Sequence, residues 1–385
     1  MKLNYDILIL GAGASGLMCA AQLSEKTNLK IALLDGNSRP ALKLKASGGG
    51  KCNLTNVNVD TDHFLGDETL VHTALNVFPQ KALLDYFHNG GLRPVIRKER
   101  YYFCPKSSDE VISILLGKLR GVDLLLGHKI LSVSGNDSFN VITDKGTFTA
   151  KKVVVATGGA SYKELGASDI GLKIAQEYAL EIVPFSPALV GLTLQPKEFW
   201  MKELSGISFP ARIRVGQKVL EEDLLFAHKG ISGPVVLSAS LYWFKGEIEI
   251  DFCPDLDLQK LLSEKKLLST ALPLPKRFTK VFLDSIALED KPCNRLNNEE
   301  REKLLQLQAY KMAPSGNFGL SKAEVCRGGV AHEEIDPKTM ESSKVQGLYF
   351  IGETVDVTGE LGGYNFQWAF SSAVVCASAI ANKEL

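Results

Sequence analysis

The feature that most constrains the fold is a glycine-rich segment near the start of the chain, GAGASG at residues 11–16. It follows an apolar run from Tyr5 to Leu10, which is typical of a strand buried on both faces of a parallel sheet. We expect a helix from about Ser15 to Glu25 and a second strand from Lys30 to Leu34. Together these elements predict a βαβ unit at the beginning of the chain.

The glycine-rich segment has the GxGxxG pattern in the context that the pattern requires, between a strand and a helix, and Asp35 ends the second strand. In such motifs the glycines let the backbone approach a pyrophosphate, and the acid accepts a hydrogen bond from a ribose hydroxyl. An ordinary glycine-rich turn is the alternative, which the strand, the helix and the acid together disfavour. The motif alone does not separate NAD from FAD.

Two later segments favour FAD over NAD. Residues 153–159 read VVVATGG, a strand that ends at glycines, and residues 349–353 read YFIGE, in which an acid follows the glycine. A helix is expected to begin near Gly363 and to include residues 366–380. Three such elements in this order indicate a glutathione-reductase-like FAD-binding domain with a Rossmann-type parallel sheet, because a simple dehydrogenase would lack the last two.

The chain changes character between Ala188 and Ser321. Short strand-like pieces separated by Gly and Pro are followed by a lysine- and leucine-rich stretch of helical period, in which Asn297 and Glu300 predict an N-terminal capping box. The sequence therefore predicts an α/β fold in which an FAD-binding domain is interrupted by two modules. The expected ranges are residues 1–187 and 322–385 for the FAD domain, 188–254 for the β-rich module and 255–321 for the helical module.

Composition and charge narrow the class of protein. Lysine plus arginine and aspartate plus glutamate number 44 each among 385 residues, so the molecule has no net field that draws it to nucleic acid or membrane, although a local basic patch stays possible. The seven cysteines are scattered and form no CxxC or Cys/His cluster, which argues against a disulfide framework and against a metal site. The first apolar run is too short to span a membrane and lacks the basic flank of a signal peptide, so we expect a cytoplasmic protein.

The most distinctive stretch is residues 43–56, KLKASGGGKCNLTN, whose glycines and small polar side chains suit a loop in contact with an extended ligand. A flexible surface loop is the alternative. Together with GELGGYNFQW at residues 359–368, this stretch resembles the signatures of the BaiN/RdsA family of NAD(P)/FAD-dependent oxidoreductases. The likeness extends over nearly the whole chain, including FAHKGISGP at residues 226–234. One departure is Cys326, which stands where threonine is usual.

The resemblance implies a split FAD domain whose insert comprises a β-barrel-like module and a helical module. It implies that the SGGGKCN loop and the GGYNF turn flank the isoalloxazine ring. The backbone amides of residues 364–366 would then open a helix aimed at the pyrimidine edge, where the reduced ring carries negative charge. The residues expected to bind FAD are Gly11, Gly13, Ala14, Ser15, Gly16, Asp35, Gly36, Lys43, Ser47, Gly48, Cys52, Asn53, Ile130, Thr157, Gly158, Gly352, Glu353, Gly363, Tyr364, Asn365 and Phe366.

Members of this family have been assigned different substrates, namely aminoacetone-like amines, unsaturated bile acids and a uridine of large-subunit ribosomal RNA. DVTG at residues 356–359 and Leu-Tyr-Trp at residues 241–243 look most like the rRNA dihydrouridine synthase branch. We therefore expect an enzyme reduced by NADH or NADPH that converts uridine to dihydrouridine. A small-molecule flavin oxidase or enone reductase, and a non-catalytic flavin-containing RNA-binding protein, are the alternatives.

Reduction of a uracil double bond needs a hydride at one carbon and a proton at its neighbour, so a positioned acid is useful. Cys104, in the aromatic segment YYFCP at residues 101–105, and His228 are the candidates. A buried cysteine and a structural histidine are the alternatives. The basic residues among positions 93–100, close to Tyr101 and Tyr102, suit phosphates and a stacked base, although a solvated charged face has the same composition.

Overall fold

The computed structural model describes residues 3–383 and divides into two compact units. Unit 1 is discontinuous and joins the residues up to Ser186 to those from Val325 onward. Unit 2 is the continuous stretch Pro187–Glu324.

The first stretch of unit 1 contains the predicted βαβ unit. Its strands are β1 (Leu3–Leu10), β2 (Ile31–Asp35), β3 (Asn53–Asn56), β4 (Phe64–Leu65), β5 (Val95–Arg97), β6 (Tyr101–Phe103), β7 (Val122–Leu126), β8 (Ile130–Ser134), β9 (Phe139–Thr143), β10 (Gly146–Val155) and β11 (Ile182–Ala188), which leads out of the unit. Its helices are α1 (Ala14–Lys26), α2 (Leu42–Gly50), α3 (Glu68–Val77), α4 (Gln80–Asn89), α5 (Asp109–Gly117) and α6 (Ile170–Glu177). The expected order of strand, helix and strand at the start is confirmed by β1, α1 and β2.

Unit 2 is built on one antiparallel sheet of seven strands. The strands are β12 (Leu192–Thr193), β13 (Ser208–Val215), β14 (Lys218–Ala227), β15 (Gly230–Ser232), β16 (Ile248–Asp251), β17 (Tyr310–Met312) and β18 (Gly316–Asn317), in the order β17-β16-β13-β14-β15-β12-β18. The helices are α7 (Pro234–Tyr242), α8 (Leu258–Leu262), α9 (Leu268–Ala271), α10 (Lys276–Ser285) and α11 (Asn298–Leu305). Sheet and helices share a single core that contains four fully buried phenylalanines, Phe226, Phe252, Phe278 and Phe282.

Within unit 2 the strands and helices are more intermixed than the sequence indicates. Helix α7 lies in the stretch expected to be β-rich, and β17 and β18 lie in the stretch expected to be helical. The helical period ends at Leu305, after which Tyr310–Met312 alternates, with Lys311 exposed and Met312 buried, and pairs with β16. The capping box at the start of α11 is confirmed: the Asn297 side chain accepts from the Glu300 N–H, and the Glu300 carboxylate accepts from the Asn297 N–H, both at 2.9 Å.

The last stretch of the chain completes unit 1. It contributes β19 (Val325–Val330), β20 (Leu348–Phe350), β21 (Thr358–Gly359) and α12 (Tyr364–Asn382). The main sheet has the order β7-β2-β1-β10-β9-β8, and β20 pairs with β10. Strand β10 changes partner along its length, because residues 146–150 pair antiparallel with β9 and residues 153–155 pair parallel with β20. The late strand and helix expected from the sequence are confirmed.

None of the helices within residues 3–383 is long and apolar enough to cross a membrane. Over the same described range, no group of three or more His, Cys, Asp and Glu side chains is arranged to hold a metal ion. All seven cysteines are buried free thiols.

Candidate functional site

The candidate site lies at one edge of the main sheet of unit 1. Strands β2, β1, β10 and β20 are parallel, so their carboxyl ends meet at this edge. Strand β1 is central, with β2 on one side and β10 on the other. In open α/β sheets ligands bind outside the carboxyl ends of the strands where the strand order reverses, and the predicted glycine-rich turn after β1 stands at that point.

The three glycines of the turn are needed for two different reasons. Gly11 has φ +108°, and a Cβ there would lie 2.4 Å from the Ala156 carbonyl oxygen. A Cβ on Gly16 would lie 1.8 Å from the Gly11 carbonyl oxygen. Gly13 has φ −81° and no protein atom within 4 Å of its Cβ position. The chain itself therefore requires glycine at positions 11 and 16, whereas the open space at Gly13 fits a bound group, as expected for a pyrophosphate.

The amino terminus of α1 is also suited to that group. Gly13 is the N-cap residue and has no side-chain cap, and no acidic residue lies in the first turn. The first N–H groups of a helix have no partner within the helix, and together with the helix dipole they favour an anion. The open space and the uncapped helix start together fit the phosphates of FAD.

Asp35, at the end of β2, is fastened to the glycine turn. Its Oδ2 accepts a hydrogen bond from the Ala12 N–H at 2.7 Å, and its Oδ1 accepts from the Asn37 N–H at 2.7 Å. Burial raises the pKa of the carboxyl group, and the two N–H donors oppose that shift. Each carboxylate oxygen retains a second lone pair, so the side chain is still able to accept from a ribose hydroxyl. Gly36 follows directly, and Ile130 begins β8 in the same sheet as a residue only 9% exposed.

Glu353, beyond the end of β20, is held by a cation and a backbone donor. The Lys43 ammonium lies 2.7 Å from its Oε2, and the Cys326 N–H donates to its Oε1 at 2.9 Å. Lys43 also donates to the Ser161 hydroxyl at 2.8 Å. A Cβ on Gly159 would lie 2.7 Å from Glu353 Oε1, so the chain after β10 passes close to this carboxylate. The arrangement fixes the Glu353 carboxylate at the carboxyl edge of the sheet, beside a cation.

Gly352 is clamped by helix α12. Its N–H donates to the Ser372 hydroxyl, and its carbonyl accepts from the buried Trp368 indole, both at 3.0 Å. Gly352 has φ +65°, and a Cβ there would lie 2.6 Å from the Ser15 hydroxyl oxygen on α1. Glycine is therefore required where α1, α12 and the end of β20 meet, and this meeting point positions Glu353.

Two side-chain oxygens at the predicted site are buried without a hydrogen-bond partner among the described residues, Thr157 Oγ1 and Asn53 Oδ1. Gly158, beside Thr157, has φ +71° and donates its N–H to the Thr354 hydroxyl at 3.1 Å. An unsatisfied buried polar group costs about 1–3 kcal/mol, so natural proteins keep few of them. Both oxygens belong to segments expected to contact FAD.

The SGGGKCN loop forms an interrupted turn at the end of α2. Ser47 leaves the helical conformation at ψ 151°, and its hydroxyl donates to the Leu44 carbonyl at 2.7 Å. Gly48, Gly49 and Gly50 then have φ of +57°, +65° and +82°, a run that favours glycine at every position. No protein atom lies within 4 Å of the Cβ positions of Gly49 and Gly50. The loop thus presents bare backbone to open space.

Helix α12 begins without a side-chain cap. Its N-cap, Gly363, has φ +92°, and a Cβ there would lie 2.7 Å from the Thr55 backbone. The Asn365 amide closes the preceding loop, because its Oδ1 accepts from the Gly359 N–H at 2.9 Å and its Nδ2 donates to the Gly359 carbonyl at 2.8 Å. The side chain of Asn365 is thus structural, and Tyr364 and Phe366 lie on either side of it. The uncapped N–H groups at this helix start are those expected to face the flavin.

One histidine beside this helix was missed by the sequence analysis. The His63 ring stacks on Tyr364 with the ring centroids 4.5 Å apart and 13° between the planes. Its Nδ1 lies 2.7 Å from Asp60 Oδ1, and its backbone carbonyl accepts from the Glu360 N–H at 2.9 Å. The only sequence signal is an acid three residues before a histidine, which is too common to single out.

The two candidate acids lie in different units. Cys104 in unit 1 is fully buried beside Cys52, and its own N–H donates to the Lys51 carbonyl at 2.9 Å. The hydrogen bond between the thiols, together with burial, raises the pKa of Cys52. His228 is exposed in the turn between β14 and β15 of unit 2.

Comparison with known proteins identifies the family of the chain. The chain matches the family described as HI0933-like protein Rossmann domain over residues 5–379. It is 37% identical over 390 residues to a ribosomal RNA dihydrouridine synthase of Escherichia coli (strain K12), covering 97% of each chain. It is 35% identical over 402 residues to a protein of the same name from Haemophilus influenzae, covering 100% of each. A 3-dehydro-bile acid delta(4,6)-reductase of Clostridium scindens is 28% identical over 97% of this chain and 98% of that protein.

Among solved structures, 3-ketosteroid delta1-dehydrogenase from Sterolibacterium denitrificans superposes with a TM-score of 0.54. The two are 12% identical, and the match covers 99% of this chain and 100% of that one, so it bears on the fold alone. The resemblance and the fold class predicted from the sequence are thereby confirmed. The chain belongs to the HI0933-like family and has the fold of FAD-dependent oxidoreductases, with a Rossmann-type parallel sheet and inserted antiparallel strands.

Proposed function

We propose that this protein is an FAD-dependent oxidoreductase, reduced by NADH or NADPH, that converts uridine to dihydrouridine in large-subunit ribosomal RNA. The observation that carries the proposal is the identity of 37% and 35%, over essentially the full length, to two proteins named ribosomal RNA dihydrouridine synthase. A site at the sheet edge with the features that a flavin dinucleotide needs supports it.

The residues of the chain have distinct parts in holding the cofactor. The start of α1 at Gly13 receives the pyrophosphate, and Asp35 accepts from the adenosine ribose. Glu353, paired with Lys43, bonds the ribityl chain. The start of α12 at Gly363 faces the pyrimidine edge, where its N–H groups stabilise negative charge. When bound, the flavin supplies the hydride that reduces the substrate.

The proton for the neighbouring carbon is assigned first to Cys104, with His228 next. Cys104 lies on the polypeptide next to the aromatic strand β6, but its side chain has no exposed area, so a base reaches it only after a local opening. His63 is a third candidate because its ring lies against Tyr364, is 23% exposed and is oriented by Asp60. Histidine is the side-chain type whose ordinary pKa suits proton transfer at neutral pH.

A small-molecule reductase is the second candidate function. The bile-acid reductase of Clostridium scindens is also similar over nearly the full length, at the lower identity of 28%. Such an enzyme uses the same flavin chemistry on a substrate without phosphates. A flavin-containing protein that binds RNA without turnover is the remaining alternative.

The deciding experiment has two parts. Mass mapping of rRNA from cells that lack this protein is expected to show one uridine in place of dihydrouridine. The purified protein with NAD(P)H should then convert that uridine in the unmodified RNA. If every rRNA uridine stayed unchanged while NAD(P)H was consumed with a small enone or amine, the RNA assignment would fall and the flavin assignment would stand.

The proton donor is tested with single variants of the same enzyme. Cys104→Ala is expected to lower the rate about a hundredfold or more while the flavin stays bound and reducible, as for loss of a well-placed acid. Cys52→Ala is the internal comparison, because a residue that lines the flavin should alter its spectrum or affinity as well. Normal turnover by Cys104→Ala would move the assignment to His228 or His63, whose alanine variants then carry the test.

A further inference from the structure

We propose that the β5–β6 hairpin, residues 93–103, is the surface that binds single-stranded RNA next to the target base. We call this segment the cationic hairpin. The inference rests on the proposed function, since it names the part of the site that takes the RNA. Four of the eight residues 93–100 are lysine or arginine and one is glutamate, in a chain whose total charge is zero.

The hairpin places two guanidinium groups over two aromatic rings. Strands β5 and β6 are antiparallel, with Arg97 opposite Tyr101 and Val95 opposite Phe103. The Arg97 guanidinium lies 4.9 Å from the centre of the Phe103 ring, and the Arg100 guanidinium lies 4.8 Å from the centre of the Tyr101 ring. Alternate residues of a strand share a face, so Tyr101 and Phe103 lie side by side as an edge-to-face pair, with their centroids 6.5 Å apart and 81° between the ring planes. We call these two rings the aromatic layer.

This aromatic layer lies against both segments expected to flank the flavin ring. A Cβ on Gly48, in the SGGGKCN loop, would lie 3.0 Å from the Phe103 ring. A Cβ on Gly362, next to the N-cap of α12, would lie 2.9 Å from the Tyr101 ring. Strand β3 joins them further, because β6 pairs with it and its Asn56 amide donates to the Gly362 carbonyl at 3.1 Å. Each guanidinium group is thus separated by a single aromatic ring from a segment that is expected to flank the flavin.

The chemistry of the layer fits RNA. Proteins recognise unpaired nucleotides by stacking bases on aromatic rings and on arginine planes and by charge-assisted bonds to the phosphates. A guanidinium group presents its N–H donors as a planar fork that matches a phosphate. All three residues of β5, including Arg97, are exposed, Lys98 in the turn is exposed, and Arg100 is partly exposed. Several cations in a row suit a chain of phosphates better than one dinucleotide.

The turn of the hairpin carries a cation in an unfavourable conformation. Lys98 and Glu99 have φ of +48° and +59°, and the Arg100 N–H donates to the Arg97 carbonyl at 3.2 Å. Two successive positive φ angles define a turn for which Asn-Gly is preferred. The turn is therefore less stable than Asn-Gly would make it, which is the kind of local strain that clusters at functional sites.

The proposal is tested by measuring how tightly an oligouridylate of about twelve nucleotides binds to the flavin-loaded protein. Fluorescence anisotropy at several salt concentrations gives the affinity and its dependence on salt. Arg97→Ala and Arg100→Ala are each expected to weaken binding about tenfold and to reduce the slope of log K against log salt by about 0.7 for each phosphate that is no longer neutralised. Lys98→Asn should weaken binding without lowering the melting temperature, because asparagine favours the turn. Glu99→Gly should tighten binding, because it removes the one acid and relaxes the turn.

Lys30→Ala is the matched control. Lys30 also lies over an aromatic ring, 4.6 Å from the centre of the Tyr5 ring, but it precedes β2 at the amino edge of the main sheet. Lys30→Ala removes one positive charge, as each arginine variant of the hairpin does, and is expected to leave RNA affinity unchanged. Flavin content and melting temperature confirm that each variant is folded, and Lys98→Asn keeps the test decisive if an arginine variant does not fold.

The outcomes separate this inference from the proposed function. If the hairpin variants lost RNA affinity and the wild-type protein formed no dihydrouridine, the cationic hairpin would be supported as the RNA-binding surface. The proposed synthase activity would then be rejected. If Arg97→Ala and Arg100→Ala kept wild-type RNA affinity and wild-type KM for RNA, the proposal that the cationic hairpin binds RNA would be overturned. The proposed synthase activity would be unaffected. A raised KM for NAD(P)H with unchanged RNA affinity would assign the hairpin to the dinucleotide and likewise overturn the proposal.

Discussion

Replacement of Gly13 by valine should remove FAD from an otherwise folded protein. Gly13 has φ −81° and ψ −166°, a conformation open to any residue, and no protein atom lies within 4 Å of its Cβ position. The apoprotein should therefore lose only about 1 kcal/mol, for a poorer residue at the N-cap of α1. The branched side chain would instead fill the space assigned to the pyrophosphate.

The effect on FAD is much larger than the effect on folding. A hydrogen bond to a charged group contributes about 1.5–3 kcal/mol, so loss of two such bonds from the start of α1 weakens FAD binding by about 3–6 kcal/mol. This is roughly a hundredfold to ten-thousandfold in Kd. Titration of the flavin-free protein with FAD measures the affinity, and urea unfolding of the same preparation measures the stability.

Gly117→Val is the control for adding a bulky side chain at an open glycine. Gly117 ends α5, also has no protein atom within 4 Å of its Cβ position, and belongs to no segment assigned to the cofactor. Its variant should bind FAD normally. Wild-type FAD affinity in Gly13→Val would refute the placement of the pyrophosphate. Gly16→Ala, whose Cβ would lie 1.8 Å from a carbonyl oxygen, should fail to fold and would not distinguish the two effects.

Two further variants test neighbouring parts of the site. Asp35→Ala should weaken FAD binding by about 1.5–3 kcal/mol, less than Gly13→Val, because one ribose hydrogen bond is lost; an equal or larger loss in the same titration would contradict that ranking. Cys326→Val should destabilise the protein to urea by about 1–3 kcal/mol, since the Cys326 sulfur accepts from the Ala160 N–H at 3.2 Å, whereas Cys326→Thr retains an acceptor and should unfold like the wild type.

The elements found from the sequence are those with a strong local pattern. The apolar run of β1, the GAGASG turn and α1 need no information from distant residues, and all three are confirmed. Strands β17 and β18 were missed because two or three residues carry almost no periodicity, and their assignment depends on pairing with a sheet begun far earlier in the chain.

The site shows the same limit at the level of single residues. Cys52 and Cys104 are 52 positions apart in the sequence and become neighbours only because β3 pairs with β6. His63 became visible as a candidate only when the fold stacked it on Tyr364. The three glycines at positions 11, 13 and 16 look alike in the motif, and only the surrounding backbone shows which of them leaves open space.

The discontinuity of unit 1 has a consequence for the order in which the protein forms during synthesis. Two surfaces of unit 1 stay exposed until the ribosome has made the last stretch of the chain. They are the face of α1 that α12 covers and the edge of β10 that pairs with β20. Unit 2 is continuous, has its own core and is complete earlier. The nascent chain therefore carries an open strand edge from the completion of β10 at Val155 until β20 is made at Leu348–Phe350, the period when such an edge is most prone to pair wrongly. Strand β20 closes this edge, and α12 then covers α1, so a chain cut short before β20 would retain both the open edge and the uncovered helix face.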